Sequence, residues 1–165
     1  MVHIRSVELE DAKAFWALRL EALKSNPEAF GASYEDAVQL SESEIQQRIA
    51  GSLIVGAFND QDQLVGMVGF KREQGMKLRH KGMIWGVYVS LDYRGQGLAT
   101  ALFKELFDRI SGLEGLQQVN LAVVTTNAAA IRLYRNFGFV TYGIEKNALM
   151  YEGQGYDEEL MTYFF

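Results

Sequence analysis

From Val87 to Thr100 the chain reads Val87-Tyr88-Val89-Ser90-Leu91-Asp92-Tyr93-Arg94-Gly95-Gln96-Gly97-Leu98-Ala99-Thr100, a strand pattern that runs into a glycine turn and straight on into a helix. Such a turn is suited to binding phosphate. Glycines let the backbone approach an anion closely, and the unpaired N–H groups of the first helical turn point at it with the positive end of the helix dipole. Arg94 adds a fixed charge whose donor fork matches phosphate oxygens. Glycine spacing alone fits a plain tight turn equally well, so the surroundings decide. A dinucleotide-binding turn needs a third glycine, where Thr100 stands, and an acidic residue closing the next strand, where the chain has Val124-Thr125-Thr126. A P-loop needs Gly-Lys-Ser/Thr after the turn, and none follows.

A second pair of residues lies downstream. Asn127 ends a strand pattern just before Ala128-Ala129-Ala130, where asparagine is a favoured helix cap because its side chain accepts a helix-start N–H. Tyr134 follows seven residues later, nearly two helical turns on, so both side chains leave one face of the helix. A tyrosine on an apolar face is commonly core, with its hydroxyl hydrogen-bonded.

Other chemistries are thinly represented. The absence of cysteine removes disulfides, thiolate metal sites and a cysteine nucleophile. The two histidines, His3 and His80, form no His-x-x-x-His pair, so no metal is expected. His80, by its imidazole chemistry, is a candidate proton carrier at the acceptor, although the run Lys77-Leu78-Arg79-His80-Lys81 also reads as an exposed loop. The basic run from Lys71 to Lys81 fits either a solvated hairpin end or a means of drawing in an acidic acceptor. A net charge of −5 argues against nucleic acid, whose binding rests on a broad basic surface, and mildly favours a cationic or neutral partner.

The elements that must position these residues follow from length and periodicity. At 165 residues and 48% hydrophobic content, one domain over 1–165 with one packed core is expected. No apolar run reaches the ~20 residues of a membrane span, and Met1 to Arg5 lack a signal peptide's blocks, which together read as cytoplasmic. Val2 to Val7 reads as a strand, and Asp11 to Leu23 as an amphipathic helix stopped at Asn26-Pro27. Ser41 and Glu44 make a capping box for a helix to Ala50. Leu53 to Phe58 and Leu64 to Phe70 form a hairpin around Asn59-Asp60-Gln61-Asp62, and a third strand covers Met83 to Val89. A helix carries Leu98, Ala101, Leu102, Leu106 and Ile110 on one face. Val119 to Val124 barely alternates and is expected to be buried on both faces. A helix from Ala128 to Phe137 ends at Gly138, and two last strands are expected at Phe139 to Gly143 and Leu160 to Phe164. The order β-α-α-β-β-β-α-β-α-β-β predicts a mixed α/β domain with helices on both faces of its sheet. The apolar tail Leu160 to Phe165 fits either a core strand or a sheet edge that would extend through a homodimer.

With these residues in place, the chain resembles the GNAT superfamily of acyl-CoA-dependent N-acetyltransferases. Arg94-x-x-Gly97-x-Ala99 matches that superfamily's pyrophosphate-binding motif, Val87 to Val89 its preceding strand, and Asn127 through Ala130, Ile131, Leu133, Tyr134, Gly138 and Phe139 its next helix. The resemblance implies a mostly antiparallel sheet of about six to seven strands, acetyl-CoA as co-substrate, and an amine acceptor, small molecule or peptide. It implies that Gly95, Gln96, Gly97, Leu98, Ala99 and Thr100 hold the pyrophosphate with backbone N–H groups. Val87, Tyr88 and Val89 would pair with the pantetheine arm, one N–H there polarising the acetyl carbonyl. Asn127 would contact the pantetheine, and Tyr134 would act as general acid toward the leaving sulfur. Glu28 and Tyr34 fall in the region that commonly lines the family's acceptor pocket. Many members carry a glutamate base on the strand before the turn, but Met83-Ile84-Trp85-Gly86-Val87 has none. A non-catalytic acyl-CoA-binding module and a nucleotide-dependent oxidoreductase are the rival readings.

Overall fold

In the computed structural model, which describes all 165 residues, the apolar patterns resolve into seven strands and five α-helices. In chain order they are β1 (His3–Ser6), α1 (Ala12–Ser25), α2 (Tyr34–Ala37), α3 (Glu42–Ala50), β2 (Leu53–Phe58), β3 (Leu64–Arg72), β4 (Lys81–Val89), α4 (Leu98–Ile110), β5 (Gln118–Val124), α5 (Ala128–Phe137), β6 (Val140–Tyr151) and β7 (Gln154–Phe164). This is the expected order with one addition. The single turn α2 is capped by Ser33, whose hydroxyl accepts the Asp36 N–H, and it is too short to carry a periodic signal. The Ser41–Glu44 capping box at the start of α3 is present as expected.

The strands form one sheet in the order β1-β2-β3-β4-β5-β7-β6. Every neighbouring pair is antiparallel except β4 and β5, whose parallel relation needs a crossover, supplied by α4. Helices cover both faces. On one, Phe103, Leu106 and Ile110 of α4 cluster with Val55, Val68, Leu121 and Met161 of the sheet. On the other, Phe15, Leu18 and Leu23 of α1 and Ile49 of α3 cluster with Ile54, Phe58 and Met67.

Two strand expectations need correction. β5 is not buried on both faces: Val119, Leu121 and Val123 enter the α4 side of the core, whereas Ala122 is exposed. The chain end is also longer in strand than expected, β6 and β7 forming a hairpin closed by Glu152 and Gly153, both at positive φ. β6 is the sheet's edge and mostly exposed, so its residues beyond Gly143 need no apolar alternation and give no strand signal. Leu160 to Thr162 lie in β7 between β5 and β6 with both backbone edges paired, and Tyr163 and Phe164 continue against β5 alone, so the tail is mainly an internal strand.

Candidate active site

β4 and β5 pair over only three residues each, Lys81 with Gln118 through Met83 with Asn120. Beyond that the strands diverge and a cavity of about 580 Å³ opens between them, lined by β4 from Ile84 to Val89, β5 from Leu121 to Val124, the start of α4 and one face of α5. The facing edges of the two strands therefore carry unpaired backbone groups, ready to accept an extended ligand. A bulge shapes the β4 wall. Val68 of β3 faces both Gly86 and Val87, because the register steps from Gly69–Trp85 to Met67–Tyr88. Gly86 takes up the extra residue at φ +65, a value side-chain-bearing residues rarely adopt. The strand is thereby re-aimed at the cavity.

One end of the cavity is a bare helix start. Gly97 is the N-cap of α4 at φ +78 and offers no side chain, and the first helical bond is Ala101 N–H to the Gly97 carbonyl at 3.0 Å. The N–H groups of Leu98, Ala99 and Thr100 therefore have no intramolecular acceptor. Gly95, at φ +76, and Gly97 also leave open space where a Cβ would stand. Arg94 is exposed; its Nε donates to the Val89 carbonyl at 2.8 Å, and its guanidinium lies 5.4 Å from the Tyr88 ring centre. Its two terminal nitrogens make no hydrogen bond to the protein and stay available to an anion. Gln96, by contrast, points away, its side chain reaching back toward the Asp92 carbonyl, and it is outside the cavity lining.

The far wall is α5. Asn127 accepts the Ala130 N–H at 3.2 Å, so it is the helix cap, and it also lines the cavity. Its amide nitrogen is left free by that bond. Tyr134 is 6% exposed, packed 5.5 Å from the Phe103 ring, and on the cavity wall. Burial pushes its pKa upward, so it is a protonated phenol across the physiological range. Of the other sequence candidates, Glu28 lines this cavity, while Tyr34 lines a second one of about 500 Å³, between the α1–α2 segment and the β6–β7 hairpin. Glu28 and Phe30 border both, so the two spaces adjoin. His80 precedes β4, whereas the glycine turn follows it; the histidine is at the opposite end of the strand and outside the cluster. No three His, Asp or Glu side chains are grouped to hold a metal ion.

Residues 15–139 match the model of the Acetyltransferase (GNAT) family. The chain belongs to that family. A mycothiol acetyltransferase from Brachybacterium faecium is 31% identical over 141 residues, which is 82% of this chain but 40% of that protein, so the chain spans less than half of that relative's length. Among solved structures, a GNAT-family acetyltransferase from Streptococcus pneumoniae superposes with a TM-score of 0.88 at 24% identity, covering all of both chains. A GNAT phosphinothricin acetyltransferase from Sinorhizobium meliloti, solved in complex with acetyl-CoA, superposes with a TM-score of 0.83 at 20% identity, covering 99% of this chain and 88% of that one. The mostly antiparallel sheet with its diverging β4 and β5 is thus the GNAT fold.

Toward α1 the cavity is lined by Trp85 of β4 and Phe30 of the α1–α2 segment, which the motif reading does not name, and by the side chain of Tyr88, which it names only as part of the pairing strand. The Tyr88 hydroxyl donates to Glu21 Oε2 at 2.9 Å, and Ser90 Oγ donates to the same oxygen at 2.8 Å. Burial, then the Glu21 carboxylate, raises the Tyr88 pKa. Trp85 lies directly over Gly69, where a Cβ would meet the indole at 2.4 Å; only glycine there gives the ring its seat. Glu28 is the one acidic residue in the cavity lining. A sequence signal exists for one further member. Arg19 falls on the core stripe of α1 with Phe15, Trp16, Ala22 and Leu23, and a cation at that period is out of place.

Proposed function

We propose that this GNAT-family chain transfers the acetyl group of acetyl-CoA to an amine by direct attack within a ternary complex. The observation that carries this reading is the cavity itself. It has an anion-binding helix start at one end, two unpaired strand edges along its length and a protonated phenol on the opposite wall. Leu98, Ala99 and Thr100 N–H groups and Arg94 hold the pyrophosphate. The free edge of β4 pairs with the pantetheine as an added strand, and an N–H at Val87 or Val89 donates to the thioester oxygen as charge develops on it. Asn127 donates its free amide nitrogen to the same arm.

The amine nitrogen attacks the thioester carbon; a C–N bond forms, the C–S bond breaks and the electron pair leaves on sulfur as thiolate. Tyr134 donates its proton to that sulfur, and the proton lost by the amine returns to Tyr134 through solvent. A phenol with a raised pKa is a reluctant acid, but the same apolar wall that raises it also disfavours the thiolate, so the sulfur's proton affinity rises in step. With no carboxylate on β4, Glu28 is the group placed to take the proton from an incoming ammonium.

Isothermal titration with acetyl-CoA, followed by coenzyme A release from a panel of amines, tests the reading. Micromolar binding and turnover on at least one amine are expected. Binding without turnover on any of them favours a non-catalytic acyl-CoA module, and no binding at all removes the function.

A further inference from the structure

The second cavity, about 500 Å³, opens between the α1–α2 segment and the β6–β7 hairpin, and of its residues only Glu28 takes part in the proposed chemistry. Glu28 and Phe30 border both cavities, so a ligand whose amine lies at the thioester has room to extend past them into the second space. The lining there combines two kinds of surface. Leu23, Phe30, Leu149 and Met150 are apolar, whereas Glu28 and Glu35 carry negative charge, and neither carboxylate has a cation of the protein at salt-bridge distance. Lys24 is the one cation of the lining, and its ammonium lies 5.8 Å from the centre of the Tyr34 ring. The Tyr151 hydroxyl, in the same lining, registers the balance. Its pKa is raised by the charge of Glu152, by loss of water and by the charges of Glu35 and Glu28.

The field keeps its sign outside the lining. Glu145 and Glu158 stand opposite each other across the β6–β7 pair with no cation on either, and Glu158 also pairs with Val124 of the first cavity's wall. Like charges so placed repel, and burial together with Glu145 raises the Glu158 pKa. The basic run Lys71 to Lys81 is at the opposite end of β4 from the glycine turn, away from the first cavity. Unpaired carboxylates along an apolar path are the complement of positive charges spaced by hydrocarbon. We propose that the acceptor is an aliphatic diamine or polyamine: one amine attacks the thioester beside Glu28, the methylene chain passes Phe30, and a second ammonium docks at Glu35 in the second cavity. The proposal rests on the acyltransferase reading and names its substrate class. The continuity of the two cavities sets the length of this acceptor, and the carboxylates set its charge. The distal ammonium keeps its three protons and donates them to Glu35 and to the hydroxyl oxygens of Tyr34 and Tyr151, which share the lining. Leu149 and Met150 cover its methylenes.

The test compares matched acceptors. Coenzyme A release is measured at saturating acetyl-CoA with a series of α,ω-diamines of increasing length, and with the monoamine of each in which a methyl group replaces the distal ammonium. The wild type should prefer the best diamine over its monoamine by about tenfold or more in kcat/KM, counted per reactive end, the range of one charge-assisted hydrogen bond. The preference should peak at one chain length and shrink as salt is added. Glu35→Gln should lose most of it, with monoamine kcat/KM and the acetyl-CoA Kd unchanged, and Glu35→Asp should keep part. Equal use of diamine and monoamine by the wild type overturns the proposal, and that comparison needs no variant. A preference that survives intact in Glu35→Gln overturns it too. Acetyl-CoA binding with turnover confined to amino acids or peptide N-termini overturns this proposal alone, whereas no binding of acetyl-CoA, or binding without turnover of any amine, overturns the acyltransferase reading with it.

Discussion

The ring of Tyr134 lies 5.5 Å from the ring of Phe103, centre to centre, and this contact pins a phenol against the wall of the cavity without engaging its oxygen. Removing the oxygen therefore leaves the packing intact. Tyr134→Phe should cut turnover by about a hundredfold or more, the usual share of a general acid, while acetyl-CoA affinity stays within about twofold. Pre-steady-state coenzyme A release and calorimetry read the two quantities separately. An unchanged rate with the best acceptor removes Tyr134 from the chemistry.

The same burial makes stability depend on alkaline pH. The folded-state pKa of Tyr134 is raised above its unfolded value near 10, so the protein binds this proton more tightly folded than unfolded. The contribution is whole below that pH and is lost as pH rises through the folded-state value. Urea midpoints taken from about pH 8 to about pH 11 should fall more steeply for the wild type than for Tyr134→Phe. Parallel curves would mean that the phenol has water access.

Asn127 has two roles that one substitution separates. Asn127→Asp keeps an oxygen to cap α5 and adds a charge that suits a helix start, so melting temperature should hold or rise slightly. The amide nitrogen is gone, and acetyl-CoA binding should weaken by about tenfold. Asn127→Ala should lose both, with a cap cost of about 1 kcal/mol.

At Gly97 the two effects separate differently. A methyl group there meets nothing in the protein, but φ +78 is strained for alanine by about 1–2 kcal/mol. Gly97→Ala should fold with a lowered melting temperature and bind acetyl-CoA at least about tenfold more weakly, because the methyl stands where an anion must approach. Undiminished affinity would place the pyrophosphate elsewhere.

Gly69→Ala tests, from behind, the cavity wall formed by Trp85. The new Cβ would overlap the Trp85 indole and push it into the cavity, at a strain of about 1–3 kcal/mol. The acceptor KM should rise several-fold with acetyl-CoA affinity preserved, and the tryptophan emission should shift as the ring moves. A changed acetyl-CoA affinity with normal acceptor KM would contradict this placement of Trp85.

The parts of the site that the sequence discloses are those whose chemistry is local. Arg94, Gly97 and Ala99 are a few residues apart, as are Asn127 and the N–H it caps, so spacing alone describes them. The wall of the cavity toward α1 is different in kind. Arg19 meets Trp85 and Gly86 only because α1 packs on β4, and Trp85 finds its seat on Gly69 through strand register. Neither contact has a sequence signature, although the arginine on an apolar stripe is an anomaly that periodicity does expose. His80 is a candidate by side-chain type alone, and residue type carries no information about place. Only the first residues of β6, to Gly143, are legible, because the rest of an exposed edge strand obeys no hydrophobic rhythm.

The brevity of the pairing between β4 and β5 has a mechanical meaning. Three matched residues are all that stitch the half-sheet β1-β2-β3-β4 to the half-sheet β5-β7-β6, and above the stitch the halves are held by the α4 side of the core and by the α1–α2 segment, which touches β5 and β6. A ligand that bonded to both bare edges would act as a crossbeam, closing a seam that the polypeptide itself leaves gaping. Binding such a ligand and bracing the architecture would then be a single event, because the seam it closes runs through the cavity.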